Sequence, residues 1–143
     1  MTSELRVDNL KGSTTGGSIN VLGEGTSATT NLQQGLCKSW VNLDGGSVDS
    51  GTDLDGVRKS FNIASVVDVD TGRANTNFTN PMADAGHIST GSAGDATQGN
   101  ARNIFIDDGV ANTASTIASN VENNSSSPVD AEYVGIVTHG DLA

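Results

Sequence analysis

The chain has 143 residues and a formal net charge of −10, and Gly, Ser, Thr, Asn and Asp account for 76 of its positions. This length predicts one domain with an appendage. The acidic charge argues against a nucleic-acid-binding protein, since phosphate binding depends on clustered Lys and Arg side chains. No apolar run approaches the ~18 residues of a membrane span, so we expect no membrane insertion.

The composition predicts an all-β fold. Gly, Ser, Asn and Asp disfavour helix interiors, and the 13 valines suit a pleated sheet better than a helix. Leu, Ile, Val and Phe together reach only 31 residues, just above the level at which chains fail to fold alone. Packing between identical subunits buries additional apolar surface, so we expect a symmetric oligomer.

Residues 1–34 are predicted to form an extended N-terminal arm. Its two short apolar runs, residues 5–10 and 18–22, are interrupted by glycine-rich stretches. Neither run can bury a face alone, because an isolated two-stranded ribbon is marginally stable in water. The arm is therefore either a partly ordered tail or a segment that needs a partner surface. The residues expected to anchor it are Leu5, Val7, Leu10, Ile19, Val21 and Leu22.

Residues 35–143 are predicted to fold as a compact antiparallel sandwich or jelly roll, because short apolar runs alternate with turn residues. The first strand, residues 36–43, contains Trp40, the single tryptophan of the chain. Residues 83–100 are rich in loop-forming residues. The closing strand, residues 133–137, is apolar on both faces and is expected to be central in its sheet.

A hairpin is predicted around residues 70–72, where Asp and Gly provide turn chemistry. The preceding strand has apolar residues of one parity from Phe61 to Val69, which indicates a buried face. Residues 113–122 match a helix or a strand, and their Thr and Ser content favours a strand; no helix longer than two turns is expected. The predicted core comprises Trp40, Phe61, Ile63, Val67, Phe78, Ile104, Ile106, Val134 and Ile136.

Several patterns suggest chemistry, but each has a simpler structural interpretation. The glycine-rich residues 23–28 lack the following helix that a dinucleotide site requires. The aspartates at residues 53–55 and 68–70 resemble parts of a calcium loop, but no bidentate Glu follows them, and Asp forms such turns without metal. Residues 107–108 are adjacent carboxylates, which on a strand point to opposite faces and cannot flank one glycosidic bond. We predict no catalytic residue, cofactor or metal site.

Trp40 and the two histidines leave alternatives open. Trp40 is either a core anchor or a platform on which a sugar ring stacks, and the scarcity of aromatic residues favours the core. His87 and His139 are compatible with a metal ion on an oligomer axis, but an exposed loop position is the simpler interpretation.

Residues 36–43 (LCKSWVNL), 58–63 (RKSFNI) and 130–134 (DAEYV) form three blocks whose order is more informative than any one of them. They resemble, in the same order, blocks in the small C-terminal β-domains of tailed-phage fibre proteins, above all those of marine phages. Residues 5–22 are similar to the N-terminal segment that precedes several marine phage fibre domains.

The resemblance implies a virion structural protein, made in the bacterial host cytoplasm, that is a homotrimer and not an enzyme. Residues 1–25 would attach it to another virion protein, as a tail-fibre or adhesin-like component. Recognition of a host surface glycan or protein would fall to the loops at residues 44–56 and 84–100. The candidate receptor-facing residues are Asp49, Asp53, Asp55, His87, Asp95 and Asn100.

A capsid decoration (cement) or head-fibre protein is the alternative. The sequence shows no shaft repeats and no coiled coil that would carry a tip away from the particle. This favours a small protein that decorates or stabilises the phage head. The arm would then lie across capsid subunits as an added strand.

Overall fold

The computed structural model describes residues 5–13, 19–22, 29–51, 53–96, 101–106 and 112–143. The chain divides into two compact units, Met1–Leu36 and Cys37–Ala143. Strands dominate the described residues, and their one α-helix is a single turn. The all-β prediction and the absence of long helices are therefore confirmed for this part of the chain.

The first unit contains a small antiparallel ribbon. Its elements are Asn20–Leu22 (β1), Thr29–Asn31 (β2) and the helical turn Leu32–Gly35 (α1). The Leu32 amide donates to the Ile19 carbonyl at 2.7 Å. Ile19 is half-buried, whereas the other predicted anchoring residues are exposed: Leu5, Val7, Leu10, Val21 and Leu22. The ribbon thus carries apolar side chains that it does not itself bury.

The second unit is a β-sandwich of two packed four-stranded antiparallel sheets. The sheet that carries Trp40, here named the tryptophan sheet, consists of Ser39–Leu43 (β3), Val57–Phe61 (β4), Ile88–Gly94 (β7) and Tyr133–His139 (β10). The opposite sheet consists of Ile63–Asp70 (β5), Arg73–Phe78 (β6), Arg102–Ile106 (β8) and Thr116–Asn123 (β9). The strand orders are β4-β3-β10-β7 and β5-β6-β9-β8. The strand interpretation of residues 113–122 and the central position of the closing strand are both correct.

Along the strands of the tryptophan sheet, successive side chains point alternately into the core and toward solvent. In β3, Val41 and Leu43 are buried while Trp40 and Asn42 are exposed, as expected for a strand with one face toward water. The buried core comprises Val41, Leu43, Ile63, Val66, Phe78, Met82, Ile117, Val121, Ala131, Val134 and Ile136, with Ile104 and Ile106 half-buried against it. The core thus lies between the two sheets.

The predicted turn joins β5 to β6. Gly72 has a φ of +73°, a left-handed conformation that favours glycine. A Cβ at this position would lie 2.5 Å from the carbonyl oxygen of Val121. The Gly72 amide donates to Asp130 Oδ1 at 2.6 Å, and this hydrogen bond ties the hairpin to the segment that precedes β10.

The prediction that apolar residues of one parity from Phe61 to Val69 share a buried face is wrong, because the chain passes from one sheet to the other within this segment. Asn62, with a φ of +59°, separates β4 from β5, so Phe61 points to the outer face and is 53% exposed. A register irregularity at the start of β5 shifts the pattern again. Val66 therefore lies in the core, whereas Val67 is only half-buried.

Trp40 is likewise not a core residue, since 38% of it is exposed on the outer face of the tryptophan sheet. Val41 and Leu43, on the other face of the same strand, fill the core instead. β3 has apolar residues at both parities, so its sequence alone does not reveal which face is buried.

Candidate ligand-binding groove

A strip of exposed apolar side chains crosses the outer face of the tryptophan sheet. Trp40 on β3 lies opposite Phe61 on β4 and Val137 on β10. These side chains are 38%, 53% and 37% exposed, respectively. Directly opposed side chains on one face have Cβ atoms about 4.5–5.5 Å apart, so the three form a continuous surface. Such an apolar surface on one face of a sheet is a candidate contact site.

A polar row runs beside this apolar strip. Asn42 lies opposite Lys59 on one side and Gly135 on the other, and Gly135 lies opposite Ser92. Gly135 has no side chain, and a Cβ there would lie 3.2 Å from the Ser92 hydroxyl oxygen. The missing side chain gives the floor of a shallow groove of about 420 Å³.

The walls of the groove combine apolar and uncharged polar side chains. Trp40 and Val137 contribute the apolar part, and Asn42, Thr90 and Ser92 contribute amide and hydroxyl groups. None of the residues that line the groove is charged. The groove therefore offers an aromatic face together with groups that both donate and accept hydrogen bonds.

Two cationic residues of β4, Arg58 and Lys59, lie beside the groove and differ in the contacts that they make. Arg58 forms an ion pair with Asp44 at 3.1 Å, donates to the carbonyls of Leu43 and Glu132, and lies 4.6 Å from the centroid of the Tyr133 ring. Lys59 is exposed, and within the described residues no carboxylate forms an ion pair with it. Lys59 is thus a cation available to an incoming ligand.

Tyr133 lies on the same face, two residues before Gly135. A hydrogen bond to the Glu132 side chain, reinforced by the negative charge of that carboxylate, raises the pKa of Tyr133 above its ordinary value of 10.0. Glu132 Oε2 also accepts a hydrogen bond from the Ala96 amide at 3.1 Å. The phenol of Tyr133 therefore stays uncharged at neutral pH.

Three of the predicted receptor-facing residues converge in the loop between β3 and β4. The carboxylates of Asp49, Asp53 and Asp55 lie within 4.8 Å of one another, and all three residues are exposed. Asp49 accepts the Gly51 amide at 2.6 Å, and Asp53 accepts the Asp55 amide at 3.0 Å. These are the local turns that Asp forms without metal, whereas calcium requires about six to eight oxygen ligands.

The same loop is fastened along the edge of β5. The carbonyl of Asp49 accepts the Asp68 amide at 2.7 Å, and the carbonyl of Asp53 accepts the Val66 amide at 2.9 Å. Main-chain hydrogen bonds of this kind restrict the backbone of this segment, which limits its adaptation to a ligand.

Two of the other predicted receptor-facing residues, His87 and Asp95, are described, and both make contacts within the fold. His87 is only 8% exposed; its Nε2 lies 2.9 Å from the Thr113 carbonyl oxygen, and its ring meets Phe78 edge-on. The prediction that His87 faces a receptor is therefore wrong. Asp95 forms an ion pair with Arg102 at 2.7 Å. Asn100, like residues 23–28 and 107–108, lies outside the described residues.

Residues 84–100 also differ from the predicted loop. Seven of them form β7, which pairs along its whole length with β10. Thr90 and Ser92 alternate on its outer face and contribute to the groove. Ser, Thr and Gly dominate residues 89–94 and are typical of loops, so the sequence gives little signal that Thr90 and Ser92 share a strand face.

Comparisons with protein-family models, with curated proteins and with solved structures found no match to this chain. Within the described residues, no helix combines the length and the apolar character needed to cross a membrane.

Proposed function

We propose that this chain is a structural, non-enzymatic component of a bacteriophage particle, a tail-fibre or adhesin-like protein that contacts the host cell. The assignment to a phage particle rests on the three sequence blocks that resemble phage fibre domains in the same order. The observation that carries the attachment role is the exposed strip of Phe61, Trp40 and Val137 beside the groove.

The two units have separate roles in this proposal. Residues 1–25 attach the chain to another virion protein, and the exposed Leu5, Val7 and Leu10 provide apolar contacts for that partner. The second unit contacts the host. Three copies associate, because a core with few large apolar residues benefits from additional burial between subunits.

Recognition is assigned to the outer face of the tryptophan sheet instead of the two predicted loops. The first loop is held to β5 by main-chain hydrogen bonds, and much of the second is the edge strand β7. The sheet face holds its side chains in fixed register, and a rigid element positions a binding surface more precisely than a mobile loop.

The test is binding of the purified, fluorescently labelled chain to bacteria that the parent phage infects. We expect the chain to bind these cells and to reduce phage adsorption in competition. If it neither binds nor competes, the attachment role is wrong.

The copy number per virion, measured relative to the major capsid protein, separates this role from head decoration. A few trimers per particle agree with a tail position. A copy number near that of the capsid subunit, together with binding to empty heads and increased resistance of those heads to heat, would instead identify a decoration protein.

A further inference from the structure

We propose that the groove binds a saccharide chain that carries acidic groups, with a sugar ring against Trp40 and an acidic substituent at Lys59. This inference rests on the proposed attachment function and specifies its ligand class. It follows from the lining of the groove, from its floor and from the position of the nearby cation.

The lining of the groove matches the two faces of a sugar. A pyranose ring has an apolar C–H face and a rim of hydroxyl groups. The exposed ring of Trp40 offers a flat apolar surface to the C–H face of the sugar. The sugar hydroxyl groups can bond to uncharged hydrogen-bond donors and acceptors on Asn42, Thr90 and Ser92. A purely apolar partner would leave these three side chains without hydrogen bonds, which is unfavourable.

The floor of the groove permits close approach of the ligand. Gly135 occupies the central strand β10 between Asn42 and Ser92, so a ring can descend to the backbone where any other residue would project. The groove volume of about 420 Å³ falls within the ~300–1,000 Å³ typical of ligand sites. Its shallow form suits a chain that passes across the sheet.

The position of Lys59 indicates that the ligand carries an acidic group. The chain has a net charge of −10, so an anionic ligand is repelled by most of its surface. Lys59 lies directly opposite Asn42 at one end of the polar row, and the neighbouring Arg58 is engaged by Asp44. An acidic substituent is therefore accommodated at the Lys59 end, and charge complementarity there orients the saccharide and selects against neutral chains.

A second copy of the chain is a less suitable occupant. A two-fold contact would place the same face of two molecules together, so that each concave groove would meet another concave groove, whereas in the proposed trimer the groove would meet a different surface of the neighbouring copy. The polar walls would then lose water without gaining complementary side chains. This alternative remains a distinguishable outcome of the test.

Trp40 makes the experiment direct, because it is the only tryptophan in the chain and lines the groove. The purified full chain is applied to an array of saccharides that carry uronic acid, sulfate or phosphate groups, or no charge. Array ligands that bind are then titrated in solution while the fluorescence of Trp40 is followed. We expect binding to acidic members of the array, accompanied by a change in Trp40 emission.

Variants separate the contributions of the aromatic ring and the cation. Trp40→Ala, followed by calorimetry, is expected to weaken binding at least about tenfold. Lys59→Ala is expected to weaken binding of acidic saccharides up to about fivefold, the range of an exposed ion pair, and to reduce the preference over neutral ones. Matched controls are Phe105→Ala, an exposed aromatic residue of the opposite sheet, and Lys11→Ala, an exposed cation of the first unit. Neither control should change the affinity.

The outcomes distinguish this inference from the attachment function. If the chain binds host cells but no acidic saccharide, or if Trp40→Ala binds as tightly as the unchanged chain, the inference is wrong and the attachment role stands. If acidic saccharides bind in the groove but host cells do not, the attachment role is wrong and the ligand class is supported. If acrylamide loses access to Trp40 as the oligomer forms, a second copy covers the groove and the inference is wrong.

Discussion

His87 and His139 are the two histidines of the chain, and the fold gives them different surroundings. His87 is buried between Phe78 and the Thr113 carbonyl, whereas His139 is exposed at the end of β10. Because a carbonyl oxygen only accepts hydrogen bonds, Nε2 of His87 carries the proton in this contact. The residue thus links the segment before β7 to the segment before β9.

We expect His87→Ala to lower the free energy of unfolding by about 1–3 kcal/mol, through loss of the hydrogen bond and of the ring contact. His139→Ala should change it by no more than about 0.5 kcal/mol, as for other surface positions. Urea unfolding followed by Trp40 fluorescence measures both. Equal effects of the two substitutions would contradict a structural role for His87.

Tyr133 provides a second test at the scale of one residue, because it is the only tyrosine. Glu132 raises its pKa above 10.0. The hydrogen bond therefore contributes stability that is fully present below pH 10 and is lost as the pH rises through the pKa of the folded state. Tyrosinate absorbance should show a midpoint above 10.0, and Glu132→Gln should move it down toward that value.

The control for this titration is Glu122→Gln, which removes the same charge from β9 of the opposite sheet. It should leave the Tyr133 midpoint unchanged. A midpoint in the unchanged chain at or below 10.0 would mean that Glu132 does not hold the phenol proton.

Among the elements, the β5–β6 hairpin depends most clearly on one backbone conformation. Gly72→Ala combines a positive φ of +73° with a Cβ only 2.5 Å from a carbonyl oxygen, so we expect a loss of at least about 2 kcal/mol in the free energy of unfolding. Gly94→Ala places its Cβ 3.9 Å from the nearest side chain and should change stability by less than about 1 kcal/mol. Chemical denaturation compares the two. A tolerated Gly72→Ala would show that the turn adopts another conformation.

The elements also show where sequence reasoning succeeds. The strands that end at Leu43 and Phe78, and the closing strand from Tyr133, combine apolar residues with clear turn signals, so local chemistry predicts them. β7 has the sequence ISTGSAG, whose Gly and Ser content predicts a loop. Pairing with the central strand β10 over seven residues overrides that local preference.

The groove was harder to predict because it depends on register between strands. Sequence spacing shows that Trp40 and Asn42 share a face of β3, but not that the face is the outer one. Nor does it show that Gly135 and Ser92 lie beside them, since these residues come from strands distant in sequence. The sequence therefore leaves open a sugar platform at Trp40 but gives no signal for the uncharged polar residues beside it.

At the scale of the whole molecule, the net charge of the chain affects which ligands bind in the groove. The chain carries 17 acidic and 7 basic residues, whereas no charged residue lines the groove. Repulsion by the net negative charge of the chain discourages non-specific binding of polyanions. A ligand with an acidic group at one position then binds only in the orientation that brings this group to Lys59.

The division into two units leads to the last prediction. Among the described residues, those that form the buried core of the sandwich all belong to the second unit. We therefore expect deletion of residues 1–25 to leave the sandwich folded and the proposed trimer intact, while the truncated protein no longer enters virions. Circular dichroism and sedimentation report on the first two properties. Quantification in particles that lack the full-length protein reports on the third.

A full-length variant distinguishes loss of apolar contacts from loss of chain length. Replacing Leu5, Val7 and Leu10 with Ser keeps all 143 residues but removes three exposed apolar side chains. This variant should be excluded from particles as the deletion is. If the truncated protein enters virions at the normal copy number, residues 1–25 are not the anchor. If only the Ser variant enters, the anchor lies elsewhere in residues 1–25, either in the exposed side chains of Val21 and Leu22 or in a backbone segment that is added as a strand to its partner.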